Sequence, residues 1–191
     1  MSQSSSVELV SLIQKNDRSA RKQLFELYYP KLAAIAQRYA KNEIQSEEML
    51  NVSLNVSLNK LQNNSHINDL DLFIEKEFIT TCVAYIKNIR SEYYVASTVY
   101  ASEPAPKNYD LFANNEMIDF NKVNNDTLVS SLQQLVPSQR LSFNLHVIDG
   151  FTLEETAVLL ESSDQTVKSN LEKARFNLQR NIEHCLKSLK V

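Results

Sequence analysis

A chain of 191 residues with a single glycine, Gly150, has few ways of reversing direction tightly. Two-residue hairpins and glycine-rich phosphate loops need backbone at positive φ, which glycine alone adopts freely. Their absence argues against β-sheet folds and nucleotide cradles and predicts an all-α protein.

Apolar residues recur at helical spacing along most of the chain. Leu24, Leu27, Tyr28, Leu32, Ile35, Ala36 and Tyr39 form one stripe, in a helix that Asp17 can cap. Met49, Leu50, Leu54, Leu58 and Leu61 form a second, with Ser46 as its expected cap. Phe73, Ile74, Phe78, Val83, Tyr85 and Ile86 mark a third helix running to about Tyr93, and a shorter one is expected over Val7 to Lys15. The tandem NVSLNVSLN at 51–59 stacks Asn51, Asn55 and Asn59 along one helix edge. Patterning stops near Ala96. The stretch to Asn125 holds Pro104, Pro106 and many Asn and acidic residues, and is too long for an ordinary loop. The expected organisation is two small helical domains, 1–95 and 126–191, joined by a long flexible linker at 96–125.

Patterning resumes with a short helix over Asp126 to Leu135. A second opens on Pro137 and runs to Ile148, where Gly150 can provide the left-handed turn. Thr152-Leu-Glu-Glu155 is a capping box that starts a third helix, ending near Leu160. Ser163 can cap the last helix, whose stripe is Val167, Leu171, Ala174, Leu178, Ile182, Cys185 and Leu189.

Charge and composition narrow the function. The net charge is −3, yet residues 165–191 hold six Lys or Arg against two Glu, a local +4. A basic C-terminal helix on an acidic chain suits localised phosphate contact rather than indiscriminate coating of nucleic acid. No apolar run reaches the roughly 20 residues that span a bilayer. Met1 to Ser6 lacks the order of a signal peptide, so a cytoplasmic protein with no membrane partner is expected. Cys82 and Cys185 sit in apolar helical patterns, as buried reduced thiols do. His66, His146 and His184 lie far apart without ligand partners at metal spacing, and no nucleophile stands beside a base. Neither an enzyme nor a cofactor or metal site is expected.

Residues 151–175 carry the most information. A short helix, a turn of about three residues and a longer helix with a polar, basic start make a helix-turn-helix pattern. Lys168, Lys173 and Arg175 are expected at phosphates, while Ser163, Gln165, Thr166, Ser169 and Asn170 complete the DNA-facing set. The segments LQQLVPSQRLSFNLHVIDGFTLEETAVLL and SSDQTVKSNLEKARFNLQ resemble the region-four domain of extracytoplasmic-function (ECF) sigma factors of bacterial RNA polymerase. The resemblance rests on Leu135, Pro137, Arg140, Phe143, Leu145, Gly150, Thr152, Glu155 and Ala157, then on Thr166-Val-Lys-Ser169, Leu171 and Ala174-Arg175. More loosely, Val7 to Arg90 resembles region two of the same family: LVSLIQKNDRSARKQLFELYYPKL, Ser46 to Asn51, Leu72 to Ile74 and Thr81 to Ile86.

That resemblance implies a sigma region-two helical bundle and a region-four helix-turn-helix. It implies an alternative sigma factor that binds RNA polymerase core and directs initiation at promoter DNA. The minus-35-like contacts would be the DNA-facing set above. The minus-10-like contacts would be His66, Asn68, Thr80, Thr81, Lys87 and Arg90, and the polymerase contacts Glu47, Glu48, Asn51 and Leu54. An anti-sigma factor, or a DNA-bound and even RNA-guided recruiter, would be a further partner. Several positions depart from the family: Val52, Leu58, Thr80, Ala84, Glu75 and Glu77 in the first half, and Glu161, Ser162 and Glu172 in the second. Thr80 and Ala84 replace Asn and Asp of the melting helix, and Glu75 and Glu77 are expected to repel a nearby phosphate. These departures leave a second reading open, a sigma-fold interaction module without promoter recognition of its own.

Overall fold

A computed structural model describes residues 3–64, 67–89 and 123–188, leaving aside the side chains of residues 3–5 and 187–188. Among the described residues every regular element is helical. The N-terminal half has four helices: α1 (Gln3–Gln14), α2 (Arg18–Tyr39), α3 (Glu43–Asn63) and α4 (Leu70–Asn88). The C-terminal half has α5 (Asn125–Gln133), α6 (Pro137–Phe143), α7 (Leu153–Leu160) and α8 (Asp164–Ser188). No helix among them is long and apolar enough to cross a membrane.

Local chemistry sets the helix starts. Asp17, Asn42, Asp69 and Asn124 each accept a backbone N–H from the first turn of α2, α3, α4 and α5, which satisfies a donor with no partner inside its helix. The cap of α3 is therefore Asn42 rather than Ser46, which lies buried one turn inside. The start moves upstream because Asn42 meets the amide of Gln45 at 2.9 Å and the Gln45 side chain returns to the amide of Lys41 at 2.8 Å. Pro137 occupies the first turn of α6, where a missing N–H costs nothing. That helix does not simply continue to Ile148. It widens into a π-helical turn, Asn144–Ile148, in which the amide of Asp149 reaches the carbonyl of Asn144. Gly150 follows at φ +75°, and the amide of Phe151 closes back on the carbonyl of Leu145 at 2.9 Å.

Packing of α1 to α4 buries Leu24, Leu32, Tyr39, Met49, Leu61, Ile74, Phe78 and Ile86 in one core. In the tandem repeat, Asn51, Asn55 and Asn59 are exposed as expected. Ser53 and Ser57 face inward instead, fully buried, and their small side chains let α4 come close: the Cys82 thiol lies 3.6 Å from the Ser53 hydroxyl. The same core takes in Leu141, Leu145 and Leu160 from the C-terminal half. Smaller clusters around Leu132, Leu135 and Ala174, and around Ala157, Val167 and Leu171, hold α5 to α8 together. Of the expected linker, residues 96–122 lie outside the described residues, and Asn125 already belongs to α5.

Candidate nucleic-acid interface

The helix-turn-helix is built by α7 and α8. Thr152 and Glu155 form the reciprocal capping box: the amide of Glu155 donates to the Thr152 hydroxyl at 3.1 Å and the amide of Thr152 to the Glu155 carboxylate at 2.8 Å. The second bond holds the Glu155 carboxyl below its ordinary pKa. α7 ends at Glu161, whose backbone is left-handed (φ +51°). The Ser163 hydroxyl then accepts the amide of Thr166 at 3.1 Å and starts α8. Val167, Leu171 and Ala174 bury one side of α8, which leaves Gln165, Thr166, Lys168 and Arg175 exposed on the other, with Ser163 ahead of them. Ser169 and Asn170 are half-buried at the border. Glu172 is exposed one turn beyond Lys168 and weakens the positive field of that face.

One expected phosphate ligand is misplaced. Lys173 is only 9% exposed, because it shares the inward side of α8 with Ala174. A half-apolar helix buries a wide stripe, and a long Lys stem at its edge is covered along with it.

The minus-10-like set is divided. His66 and Arg90 lie outside the described residues. Asn68 is exposed just before Asp69, the cap of α4. The hydroxyls of Thr80 and Thr81 donate to the carbonyls of Lys76 and Glu77 one turn back, which leaves their oxygens as acceptors. Lys87 is drawn away from solvent: its amine is 2.6 Å from the Glu161 carboxylate and 3.2 Å from the carbonyl of Leu159, with the side chain 14% exposed. Glu75 and Glu77, expected to repel DNA, are paired with Lys31 at 2.8 Å and with Lys60, which offsets much of their charge.

On α3, Glu47, Glu48 and Asn51 are exposed, and the Glu48 carboxylate accepts the Tyr85 hydroxyl at 2.8 Å. Leu54 is not available to a partner. It is 6% exposed within the main core, since its register on α3 matches Leu50 and Leu61 rather than Asn51.

A polar network that sequence reading did not single out joins the two halves. Arg38 grips Asp149 through both terminal nitrogens, and the Tyr39 hydroxyl donates to the same carboxylate at 2.7 Å. Burial works to lower the Arg38 pKa, but the hydrogen bond and charge of Asp149 outweigh it, while burial and that carboxylate together raise Tyr39. Arg140, 1% exposed, donates to the carbonyls of Tyr39, Gln133 and Leu135 at 2.8–3.0 Å. The Asn144 amide donates to the carbonyls of Arg38 and Arg140. A lone charged residue inside the otherwise uncharged run LVPSQRLSF is the signal the sequence carries. Among the described residues no cluster of His, Cys, Asp or Glu could hold a metal ion.

Comparison with known proteins bears on the C-terminal segment and on the fold. Residues 126–178 match the family model described as Sigma-70, region 4, and the match falls on α5 to the first half of α8. A comparison with curated proteins found no match. Among solved structures, the chain is similar to the sigma factor RpoE of Bartonella quintana, seen in a co-crystal with the anti-sigma factor NepR. The identity is 18% and the TM-score 0.52, over 85% of this chain and 96% of that one. The C-terminal segment is thus similar to sigma region four in sequence, and the chain over most of its length has the all-α fold of a sigma factor.

Proposed function

We propose that the chain is a sigma factor of the ECF kind, which binds RNA polymerase core through α3 and engages promoter DNA through the first turns of α8. The observation that carries this reading is a coincidence: the residues that match Sigma-70 region 4 are those that fold into a capped helix-turn-helix with Gln165, Thr166 and Lys168 exposed at its leading edge. A helix so placed can enter a major groove N-terminus first. Glu47, Glu48 and Asn51 offer a polar, acidic face to the polymerase, at about 1 kcal/mol per contact and more where a charge is involved. The similar solved structure is of a sigma factor held by an anti-sigma factor, which supports a partner of that kind here. Action in the cytoplasm follows from this role.

The test is co-purification with bacterial core polymerase, followed by transcription in vitro. The folded double variant Glu47→Lys, Glu48→Lys is expected to lose most of its core binding. Unchanged binding would remove α3 from the interface. Initiation from short promoter DNA with only core and this chain present is expected if promoter reading is autonomous. Initiation only when a DNA-bound recruiter, RNA-guided or otherwise, is added would instead place promoter choice in that partner.

The second reading, an interaction module without promoter recognition, draws on a specific observation. Ala84 is exposed but has no hydrogen-bonding side chain, and Lys87 is already paired within the protein. Such a chain would hold core and show no salt-sensitive binding to duplex DNA at all.

A further inference from the structure

We propose that the furrow between α3 and α4 docks an extended peptide segment of a partner protein, one with small apolar side chains at alternate positions and a basic residue at one end. The proposal goes beyond the DNA and polymerase readings above and does not rest on them. It starts from the tandem repeat NVSLNVSLN, half of which the fold leaves without a task.

On a helix, a four-residue period sorts the repeat into four rows. The Leu row, Leu54 and Leu58, packs in or against the main core. The Ser row, Ser53 and Ser57, is buried where α4 comes close. The other two rows face outward. Asn51, Asn55 and Asn59 are exposed, and Asn63 extends their row by one turn. Val52 is 46% exposed, with Val56 half-buried in the same row. Exposed valine adds little to a helix, since a β-branched side chain loses rotamer freedom there, and its apolar surface gains by burial against a partner.

The Val row is one wall of a furrow whose other wall is α4. One hollow of about 450 Å³ is lined by Val52, Val56, Thr80, Ala84, Tyr85 and Ile89. A second, of about 510 Å³, continues from Val56 and Lys60 past Asn59 and Asn63 to Phe73. Val52, Thr80 and Ala84, three of the departures from the sigma pattern, therefore lie together in one hollow. The hydroxyls of Thr80 and Thr81 already donate one turn back, so these residues add to its apolar character through their methyl groups.

The Asn row runs beside the furrow. The side-chain amides of Asn55 and Asn63 donate to the carbonyls of Asn51 and Asn59 at 2.9 and 2.8 Å. Each keeps a second proton and an amide oxygen, the donor and acceptor that a peptide group needs. The row repeats about every 6.0 Å, and one edge of an extended chain about every 6.7 Å, a mismatch of about 2 Å over three steps that side-chain rotation absorbs. A helical occupant has no main-chain groups to offer this row, because its own are already paired. Charge sets the direction. Glu47 and Glu48 are exposed one turn before Asn51 and Val52, and the Glu48 carboxylate accepts the hydroxyl of Tyr85, which lines the furrow. A Lys or Arg of the occupant belongs at that end.

The test uses the full chain and an array of labelled nine-residue peptides, with Arg at one end, Val, Ile, Ala or Thr at alternate positions and Ser between. Fluorescence anisotropy is expected to show saturable binding of at least one of them with Kd below about 1 mM. Val52→Asp with Ala84→Glu places carboxylates in the hollow at exposed positions. Asn55→Ala with Asn59→Ala removes the middle of the row and raises helix propensity, so a loss of binding there is not a loss of fold. Each pair is expected to weaken binding at least about tenfold, as the loss of two hydrogen bonds or of an apolar contact does. N-methylation of alternate main-chain amides on the edge that meets the row should weaken binding to the parent as much, and add little in the Asn55→Ala, Asn59→Ala variant. Circular dichroism checks that both variants keep their helix content. The proposal is overturned if no peptide of the array saturates the parent, if binding survives either pair of substitutions, or if N-methylation on either edge leaves it unchanged. A peptide that becomes helical on binding also overturns it.

Discussion

Arg140 occupies the one charged position in a run of otherwise uncharged residues from Leu132 to His146, and burial turns it into a structural bolt. Its guanidinium fork reaches carbonyls at the end of α2 and around the α5–α6 turn, which would otherwise be buried without donors. Arg140→Ala is expected to destabilise the chain by about 3 kcal/mol or more, as loss of a buried hydrogen-bonded charge commonly does. Arg140→Lys should recover only part of that, since one ammonium cannot reproduce the planar fork. Urea unfolding of the three proteins checks both, and an Ala variant as stable as the parent would refute the role. The cysteines divide in the same way. Cys82 is fully buried, and burial pushes its thiol up to about 12, whereas Cys185 is half-buried on α8. A thiolate-directed reagent at pH 8 should modify Cys185 in the native protein and reach Cys82 only in denaturant. Two thiols that react at one fast rate would contradict this burial.

At the level of elements, α8 does two jobs with two faces. The buried stripe from Val167 to Ile182 anchors it to α5, α6 and α7, while Gln165, Lys168 and Arg175 stand free for a partner. Substitutions are expected to separate these jobs. Lys168→Ala should weaken DNA binding similarly on every sequence and flatten the salt dependence by roughly one unit. Gln165→Ala should change sequence preference instead. Lys173→Ala, at a buried position, should lower stability while leaving the salt slope as it was. A flattened slope for Lys173→Ala, measured by titration at several salt concentrations, would return that residue to the DNA face.

For the whole molecule, the closed seam is an energetic link between halves. Leu141, Leu145 and Leu160 complete a core whose other members come from α1 to α4, and the Arg38–Asp149 clamp crosses the same boundary. Parting the halves would expose Leu141, Leu145 and Leu160 and strand Asp149, so each half is stabilised by its contact with the other. A fragment of residues 123–191 should therefore unfold at a lower urea concentration than the same segment in the intact chain. Equal midpoints would mean that the seam contributes nothing.

The sequence by itself determined the number and order of the described helices and the helix-turn-helix, though not the widening of α6 at Asn144. These are local matters: a chain with one glycine, 3.6-residue periodicity, Asp17 and Ser163 at helix starts, and the Thr152–Glu155 box each act within a few residues. The choice of Asn42 over Ser46 is also local, but two polar candidates four residues apart compete, and the Gln45 side chain decides between them. Only the tertiary structure decided that Leu54 and Lys173 are covered, that Ser53 and Ser57 line a close helix contact, and that Glu75 and Glu77 are paired. It alone brought Arg38 to Asp149 and Lys87 to Glu161, partners 111 and 74 positions apart. Periodicity says which side of a helix is apolar. It does not say which neighbour covers that side, and the pairing of charges across a seam depends on that neighbour.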